Sequence, residues 1–452
     1  MLPQTRLSPI SLALVAALFA SCEDVIETEF SELDNQQVTQ VVSREQMTVR
    51  TVANAKVTSE CVVIDPYSTN DELYLICVPE NWNGELILYA HGYVAVSEPS
   101  LTFAEGEELA PLATTLGFAF ATTTFSANGL HIQQGIDEIL LLRDYAVGYL
   151  EDNYVTPAYT YLAGGSQGGA ITTLALERNP GAFSGGFSLC GPCGNFKKQL
   201  NHYGDFRLLF DYYFEDIIEQ GLSAFGLPYP DGLDNIPGAL IANWENIYIP
   251  VILQALQANP QRTQKLMAVS KAPFDSADPA TTIAATVIAT LWYNFFTIDD
   301  AKEKIQGVVF DNTKRIYFGT GSFWEDWKLN KEIERTVLQS NGGSFPLGSY
   351  ETSGEIDDPL VMMHTTKDPI QLFWHQPLYR LKVLAAGNSF NFAAIPIDRY
   401  GHCNFTDAEI VLGLSRLIFK VKAQELLIAK SLLNGDLSGD QLIVSVIKKA
   451  ID

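Results

Sequence analysis

From about residue 57 to residue 195, short apolar runs alternate with segments whose apolar residues recur at helical spacing. TSECVVID and ELYLICVP read as two strands around the turn PYSTND. ELILYAHGY (85–93) reads as a buried strand ending in a glycine turn, TFAEGEELAPLATTLG as a helix, and GFAFATTTF (117–125) as the next strand. IDEILLLRDYAVGYLEDNY has helical spacing, and AYTYLAGG, QGGAITTLALERNP and AFSGGFSLCG then read as strand, helix and strand. Such alternation predicts an α/β fold, with a mostly parallel sheet and helices on both faces.

The alternation stops near residue 195. NHYGDFRLLFDYYFEDIIEQ, ALIANWENIYIPVILQALQA and TIAATVIATLWYNFF follow as helix upon helix, and a mixed stretch with Phe323, Trp324 and Trp327 runs to about 355. Strands resume at PLVMMHTT (359–366) and FAAIPIDRY (392–400), each followed by a helix. The expected organisation is a sheet domain made of 57–195 and 356–452, interrupted by a largely helical cap over 196–355. An insertion at the C-terminal end of a strand lies where open α/β sheets bind ligands. The cap's aromatics Tyr212, Tyr213, Phe214, Trp292, Phe295, Phe296, Trp324 and Trp327 are expected either to shape an apolar pocket or to form the cap's own core.

The first residues follow another pattern. Arg6 is the only charge before residue 23, and Ile10 to Ala20 is apolar apart from Ser11. A short apolar core behind a basic start reads as an export signal over 1–21. Phe19-Ala20-Ser21-Cys22 resembles a bacterial lipobox, which implies lipidation of Cys22 and an anchor in a bacterial membrane, the outer one by the acidic start of the mature chain. Residues 22–56 then read as an acidic tether. Past this signal, no apolar stretch is expected to reach the roughly 18 residues of a membrane span. The chain has 47% hydrophobic residues and a net charge of -24, with no basic run, which argues against a nucleic-acid partner.

Export permits disulfides. A turn centred on Thr69 would set Cys61 opposite Cys77, so that pair is expected to be bridged. Cys190 and Cys193 read as loop cysteines after a buried strand; no second CxxC or histidine pair completes a metal site.

Gly164-Gly165-Ser166-Gln167-Gly168 is the only G-x-S-x-G in the chain and joins a strand to a helix. Such an elbow holds its serine in a strained conformation, and Gly164 and Gly168 allow neighbouring segments to approach. Ser166 is therefore the candidate nucleophile. His402, in the loop RYGHCNFTDAE after the last strand, is the candidate base. Asp368, just past the strand VMMHTTK and closed by Pro369, is the candidate acid that orients it. The backbone N–H groups of Tyr93 and Gln167 are the candidate oxyanion donors, with His91 and Gly92 organising the loop that carries Tyr93.

These pieces resemble the α/β-hydrolase superfamily, from about residue 60 to 425 outside the cap. The resemblance implies acyl transfer through a covalent acyl-enzyme, with no metal or organic cofactor and a small ester or peptide as substrate. GGSQGG is similar to the elbow of acetyl xylan and cephalosporin deacetylases, but the Arg-Gly-Gln motif and the His-Glu ending of those enzymes are missing here. His402-Cys403 is similar to the tannase and feruloyl esterase group, where that cysteine bonds one directly before the serine; Gly165 holds that place here. Cys403 is then expected to pair with Cys190 or Cys193, or to be a buried thiol. GGS-x-GG also occurs in prolyl-oligopeptidase-like peptidases, so a peptidase is the nearest alternative to an esterase. A non-catalytic binding protein on the same scaffold is the other.

Overall fold

The computed structural model describes residues 59–66, 72–234, 236–340 and 343–433. The export signal, Cys22 and the acidic segment before Ser59 lie outside the described residues.

Among these residues, eight strands form one sheet in the order β1 (Ser59–Ile64), β2 (Tyr74–Pro79), β4 (Ala119–Thr123), β3 (Glu85–Ala90), β5 (Tyr159–Gly165), β6 (Gly185–Leu189), β9 (Leu360–Lys367), β10 (Phe392–Tyr400). β1 and β2 pair antiparallel, as do β2 and β4; every other pairing is parallel. This is the α/β-hydrolase fold expected from the sequence.

Three helices connect the early strands: α1 (Glu105–Thr115), α2 (Ile132–Asn153) and α3 (Gln167–Arg178). β2 to β4 are buried at every position because both faces are covered. The two-residue period survives only in which layer each side chain enters. Leu86, Leu88 and Ala90 join the core with Ile136 of α2 and Ile171 of α3. Ile87 and Tyr89 point the other way, to Leu109 of α1 and Leu417 of the last helix. Each aliphatic side chain so buried contributes about 1.5–3 kcal/mol.

After β6 the chain leaves the sheet. It forms α4 (Phe196–Ser223), α5 (Gly238–Asn243), a π-helical turn (Trp244–Tyr248), α6 (Ile249–Ala258), α7 (Pro260–Ser270) and α8 (Pro279–Lys304). A two-stranded ribbon follows, β7 (Val308–Asp311) with β8 (Val337–Gln339), around α9 (Phe323–Glu332). The sequence reading of 196–313 as helix alone misses β7, because a four-residue strand carries too little periodicity to register. α10 (Leu347–Tyr350) leads back to β9, then come α11 (His375–Ala385), β10 and α12 (Asp407–Leu433).

α8, contrary to expectation, is long and apolar enough to cross a membrane by length and composition. It is a core helix instead: most of its apolar window is buried, which makes it apolar all round. Asn195 caps α4 by accepting from Lys198 N–H at 2.6 Å, and Asp278 caps α8 by accepting from Thr281 N–H at 3.4 Å.

Candidate active site

Ser166 is the single residue between β5 and α3, and its φ is 54°. That conformation costs a non-glycine residue on the order of 1–3 kcal/mol. It is held by a hydrogen bond from Ser166 N–H to Leu189 O at 2.9 Å, at the end of the neighbouring strand β6. The flanking glycines are required by contact. A Cβ on Gly168 would stand 1.8 Å from Ala90 O, and one on Gly164 would stand 2.3 Å from Gly168 O. Both obstacles are backbone and cannot swing aside. Gly168→Ala is therefore expected to cost about 3 kcal/mol or more, read as a lower midpoint in urea unfolding and a lower soluble yield.

The structure brings Ser166, His402 and Asp368 together across 236 residues of sequence. His402 Nδ1 and Asp368 Oδ2 are 2.8 Å apart, and His402 Nε2 and Ser166 Oγ are 2.9 Å apart. A carboxylate only accepts, so Nδ1–H donates to Asp368, and Nε2 is left to accept from the Ser166 hydroxyl. All three side chains are buried.

Asp368 is fixed by its other oxygen, Oδ1, which accepts from Ile370 N–H and Gln371 N–H, each at 2.9 Å. The histidine loop is pinned by Thr365, whose hydroxyl donates to Gly401 O at 2.6 Å.

His364, inside β9, is a further neighbour of Asp368. It is fully buried with Nε2 3.5 Å from Asp368 Oδ2, and it donates to Gln371 O at 2.6 Å. Burial lowers its pKa, against the pull of Asp368, so it sits beneath the acid as a neutral ring. The only signal for it in the sequence is its position four residues before Asp368, where the strand ends.

Also beside Ser166 is the segment His91-Gly92-Tyr93, which directly follows β3. A Cβ on Gly92 would lie 3.5 Å from Ser166 Cβ, which sets the loop against the serine. Glu105 Oε1, at the start of α1, accepts from Gly92 N–H at 2.7 Å and from Tyr89 Oη at 3.4 Å; this brace has no counterpart in the sequence reading. His91 is buried, donates from Nδ1 to Gly92 O at 2.7 Å and packs on Phe125 at 4.4 Å between ring centroids. Burial lowers its pKa, so it organises the loop as a neutral imidazole.

Gln167 is anchored by its side chain. Its Oε1 accepts from His131 N–H at 3.0 Å and its Nε2 donates to Gly129 O at 3.2 Å. As the first residue of α3, it has an N–H with no acceptor within its own helix.

Cys61 and Cys77 are bonded, in direct register across β1 and β2. Cys190 and Cys403 are also bonded, which ties the residue after His402 to the end of β6. Both of these cysteines have positive φ, 44° and 47°. Cys193 is the free cysteine among the described residues. It is buried against Thr173 Oγ1 at 3.2 Å, and burial pushes its thiol pKa up to about 11. Ligand-capable atoms of Cys190, Cys403 and His402 lie within 4.8 Å of one another. The two sulfurs are engaged in their disulfide and the imidazole in its bonds to Ser166 and Asp368.

The insertion reaches the site through aromatic side chains. Tyr93 donates from its hydroxyl to Phe296 O at 3.2 Å and its ring meets Trp292 and Tyr293 at 6.4 and 6.5 Å. Tyr293 stacks on Tyr203 at 5.5 Å, and Tyr203 Oη donates to Ile370 O at 3.2 Å, beside Asp368. This chain of rings runs from the loop of Tyr93 to the loop of Asp368. Of the eight cap aromatics singled out in the sequence, Trp292 and Phe296 take part in it. Phe214 and Phe295 are buried in the hydrophobic core, Phe295 beneath the Arg207 guanidinium at 4.5 Å. Tyr212 and Tyr213 line an open hollow of about 630 Å³ that touches none of the triad residues. Trp324 and Trp327 point into solvent.

No protein-family model and no curated protein matches the chain. Among solved structures, it is similar to feruloyl esterase B from Aspergillus oryzae, with a TM-score of 0.39 and 13% identity over 77% of this chain and 74% of that one. It is similar to brefeldin A esterase, a bacterial homologue of human hormone sensitive lipase, with a TM-score of 0.37 and 11% identity over 90% and 86%. Proline iminopeptidase from Mycobacterium smegmatis gives 0.39 and 13% over 82% and 100%. The likeness is distant, and the chemistry of this chain rests on the side chains described above.

Proposed function

We propose that the chain is an exported serine hydrolase that cleaves carboxylic esters through an acyl-enzyme. The observation that carries this reading is the unbroken run of hydrogen bonds from Asp368 through His402 to Ser166 at a strand-to-helix elbow. Ser166 Oγ attacks the ester carbonyl carbon as its proton passes to His402 Nε2. The carbonyl oxygen becomes an oxyanion, which accepts from the backbone N–H groups of Tyr93 and Gln167; one such donor is worth roughly 3 kcal/mol. The tetrahedral intermediate collapses, and the leaving alkoxide takes the proton from Nε2. Water then gives a proton to Nε2 and attacks the acyl carbon. The serine oxygen leaves as it regains that proton, and the acid product departs. Asp368 holds the imidazole in one tautomer and stabilises the imidazolium that forms.

The aromatic chain Tyr93–Trp292–Tyr293–Tyr203 supports an apolar acyl or aryl group as the part of the substrate next to the scissile bond. The signal-like residues 1–21, Cys22 in its lipobox-like setting and the two disulfides support export, with the mature chain lipid-anchored to a bacterial outer membrane. The test uses the purified chain without residues 1–22. A fluorophosphonate probe should label Ser166, and short p-nitrophenyl esters should be turned over far faster than aminoacyl-p-nitroanilides. Preference for the anilides would make it a peptidase; absence of both labelling and turnover would make the scaffold a binding module.

The disulfide beside His402 yields a further expectation. The Cys190→Ala, Cys403→Ala double variant should lose a factor on the order of 10 to 10² in kcat, because small misplacements of a reacting group carry costs of that size. Its stability should fall by about 4 kcal/mol on loop-entropy grounds, given the long segment enclosed. The Cys61→Ala, Cys77→Ala variant should lose stability with kcat near native. Equal losses of kcat in the two variants would remove any special role for the pair at the site.

A further inference from the structure

One solvent-facing apolar feature of the insertion belongs neither to the site nor to a core. Along α9, Phe323, Trp324 and Trp327 are 74%, 73% and 53% exposed, while Leu329 is the helix's buried residue. In the extended segment just before it, Tyr317 turns inward and its neighbours Ile316 and Phe318 turn outward, 76% and 62% exposed. Two tryptophans, two phenylalanines and an isoleucine thus meet water within twelve residues. Apolar surface concentrated in this way marks an interaction site.

The charges around the patch indicate what covers it. The chain as a whole is strongly acidic, yet residues 314–331 hold four basic side chains against two acidic ones. Lys271 lies 5.4 Å from the Phe318 ring and Lys331 5.2 Å from the Trp327 ring. Both lysines and Lys314 are exposed, as is Lys328, which lies 3.8 Å from Glu332. Protein–protein interfaces are depleted in lysine. Tryptophan and phenylalanine rimmed by lysine are instead the composition of helices that lie in the headgroup layer of a bilayer, rings among the acyl-chain ends and ammonium groups at the phosphates.

We propose that the Ile316–Lys331 segment is a membrane-surface contact, which seats the insertion on the lipid bilayer. The proposal goes beyond the hydrolase reading and stands on side chains that reading does not use. It joins naturally to the anchor proposed at Cys22. A polar chain the length of residues 23–58 spans on the order of 30 Å as a coil, so an anchored enzyme is delivered to the bilayer at high effective concentration, and a weak contact is enough to orient it.

The test needs no lipidated protein. The chain without residues 1–22 is mixed with phosphatidylcholine vesicles, some carrying brominated acyl chains, and tryptophan emission and co-flotation are measured. The native chain should float with vesicles and be quenched by bromine. Phe323→Ala, Trp324→Ala, Trp327→Ala should lower partitioning by about tenfold or more, while circular dichroism and turnover of a water-soluble p-nitrophenyl ester stay native. Unchanged flotation of the triple variant, or a native chain blind to the vesicles, would overturn the proposal. So would a concentration-dependent dimer in sedimentation that the triple variant abolishes, since the patch would then join two copies of the chain. These outcomes are independent of esterase activity, and a separate lipid-label experiment on Cys22 addresses the anchor.

Discussion

Ser166→Ala is expected to lower kcat by a factor on the order of 10⁴ or more while the protein keeps its fold. The substitution removes one oxygen. Alanine carries the same Cβ and meets the same positive φ, so the elbow keeps its bond to Leu189 O and its glycine contacts. His402 keeps its bond to Asp368 but has no hydroxyl to receive a proton from. Residual turnover would come from the oxyanion donors acting on attacking water. The measurement is burst and steady-state hydrolysis of p-nitrophenyl esters, with near-native circular dichroism as the control. A folded variant with native turnover would refute the nucleophile, and with it the acyl-enzyme reading.

Asp368→Asn should cost a factor on the order of 10⁴ in kcat by a different route. Asp368 Oδ1 accepts two backbone N–H groups, from Ile370 and Gln371. An asparagine must place its carbonyl oxygen there, since its amino group cannot accept. That choice turns the amino group toward His402 Nδ1, which now has to accept rather than donate. The imidazole proton moves to Nε2, and Nε2 can no longer take the proton of Ser166. The acid at this position thus acts through the tautomer of its neighbour. The expected signature is a loss concentrated in kcat, with partial recovery as pH rises and hydroxide substitutes for the missing base. A variant with kcat within tenfold of native would show that another group orients His402. His364, 3.5 Å from the same carboxylate oxygen, would be the first to examine.

The parts of the site legible in the sequence are those whose requirements are local. Ser166 stood out because a strand, a tight turn and a helix within a dozen residues force small residues at fixed offsets. The contacts of Gly164 and Gly168 show the reason, since each lies against backbone. His402 and Asp368 stand out as candidates by their place in loops after late strands, and the sheet carries those loops to one edge. The pairing of Cys61 with Cys77 followed from a hairpin, in which register is set by the turn. Cys403 left its partner open, because Cys190 and Cys193 sit in one loop and only the path of β6 decides which of them faces it.

Other features are silent in the linear pattern because they depend on approach between distant segments. The insertion's aromatics share one composition but have three fates: Phe295 is core, Trp292 meets Tyr93 and Trp324 faces solvent. Helical spacing says that a residue lies on an apolar face, and not which neighbour that face meets. α8 reads rightly as a helix, but its apolar length is underestimated, because Thr282, Thr286, Thr290 and Asn294 are buried with its aliphatic residues and only packing makes them part of one apolar surface. Glu105 bracing Gly92 and His364 beneath Asp368 are likewise products of packing, between residues whose types are common and whose spacing is unmarked. What the chain's order of residues determined alone was the backbone chemistry of the elbow, the alternation that builds the sheet and the loops that carry base and acid, because each is settled by near-neighbour sterics and hydrogen bonding. Which side chains brace those loops, which cysteine bonds Cys403 and which aromatics meet Tyr93, the core or solvent was decided only in three dimensions, where the distances between remote segments are set by the packing of the whole.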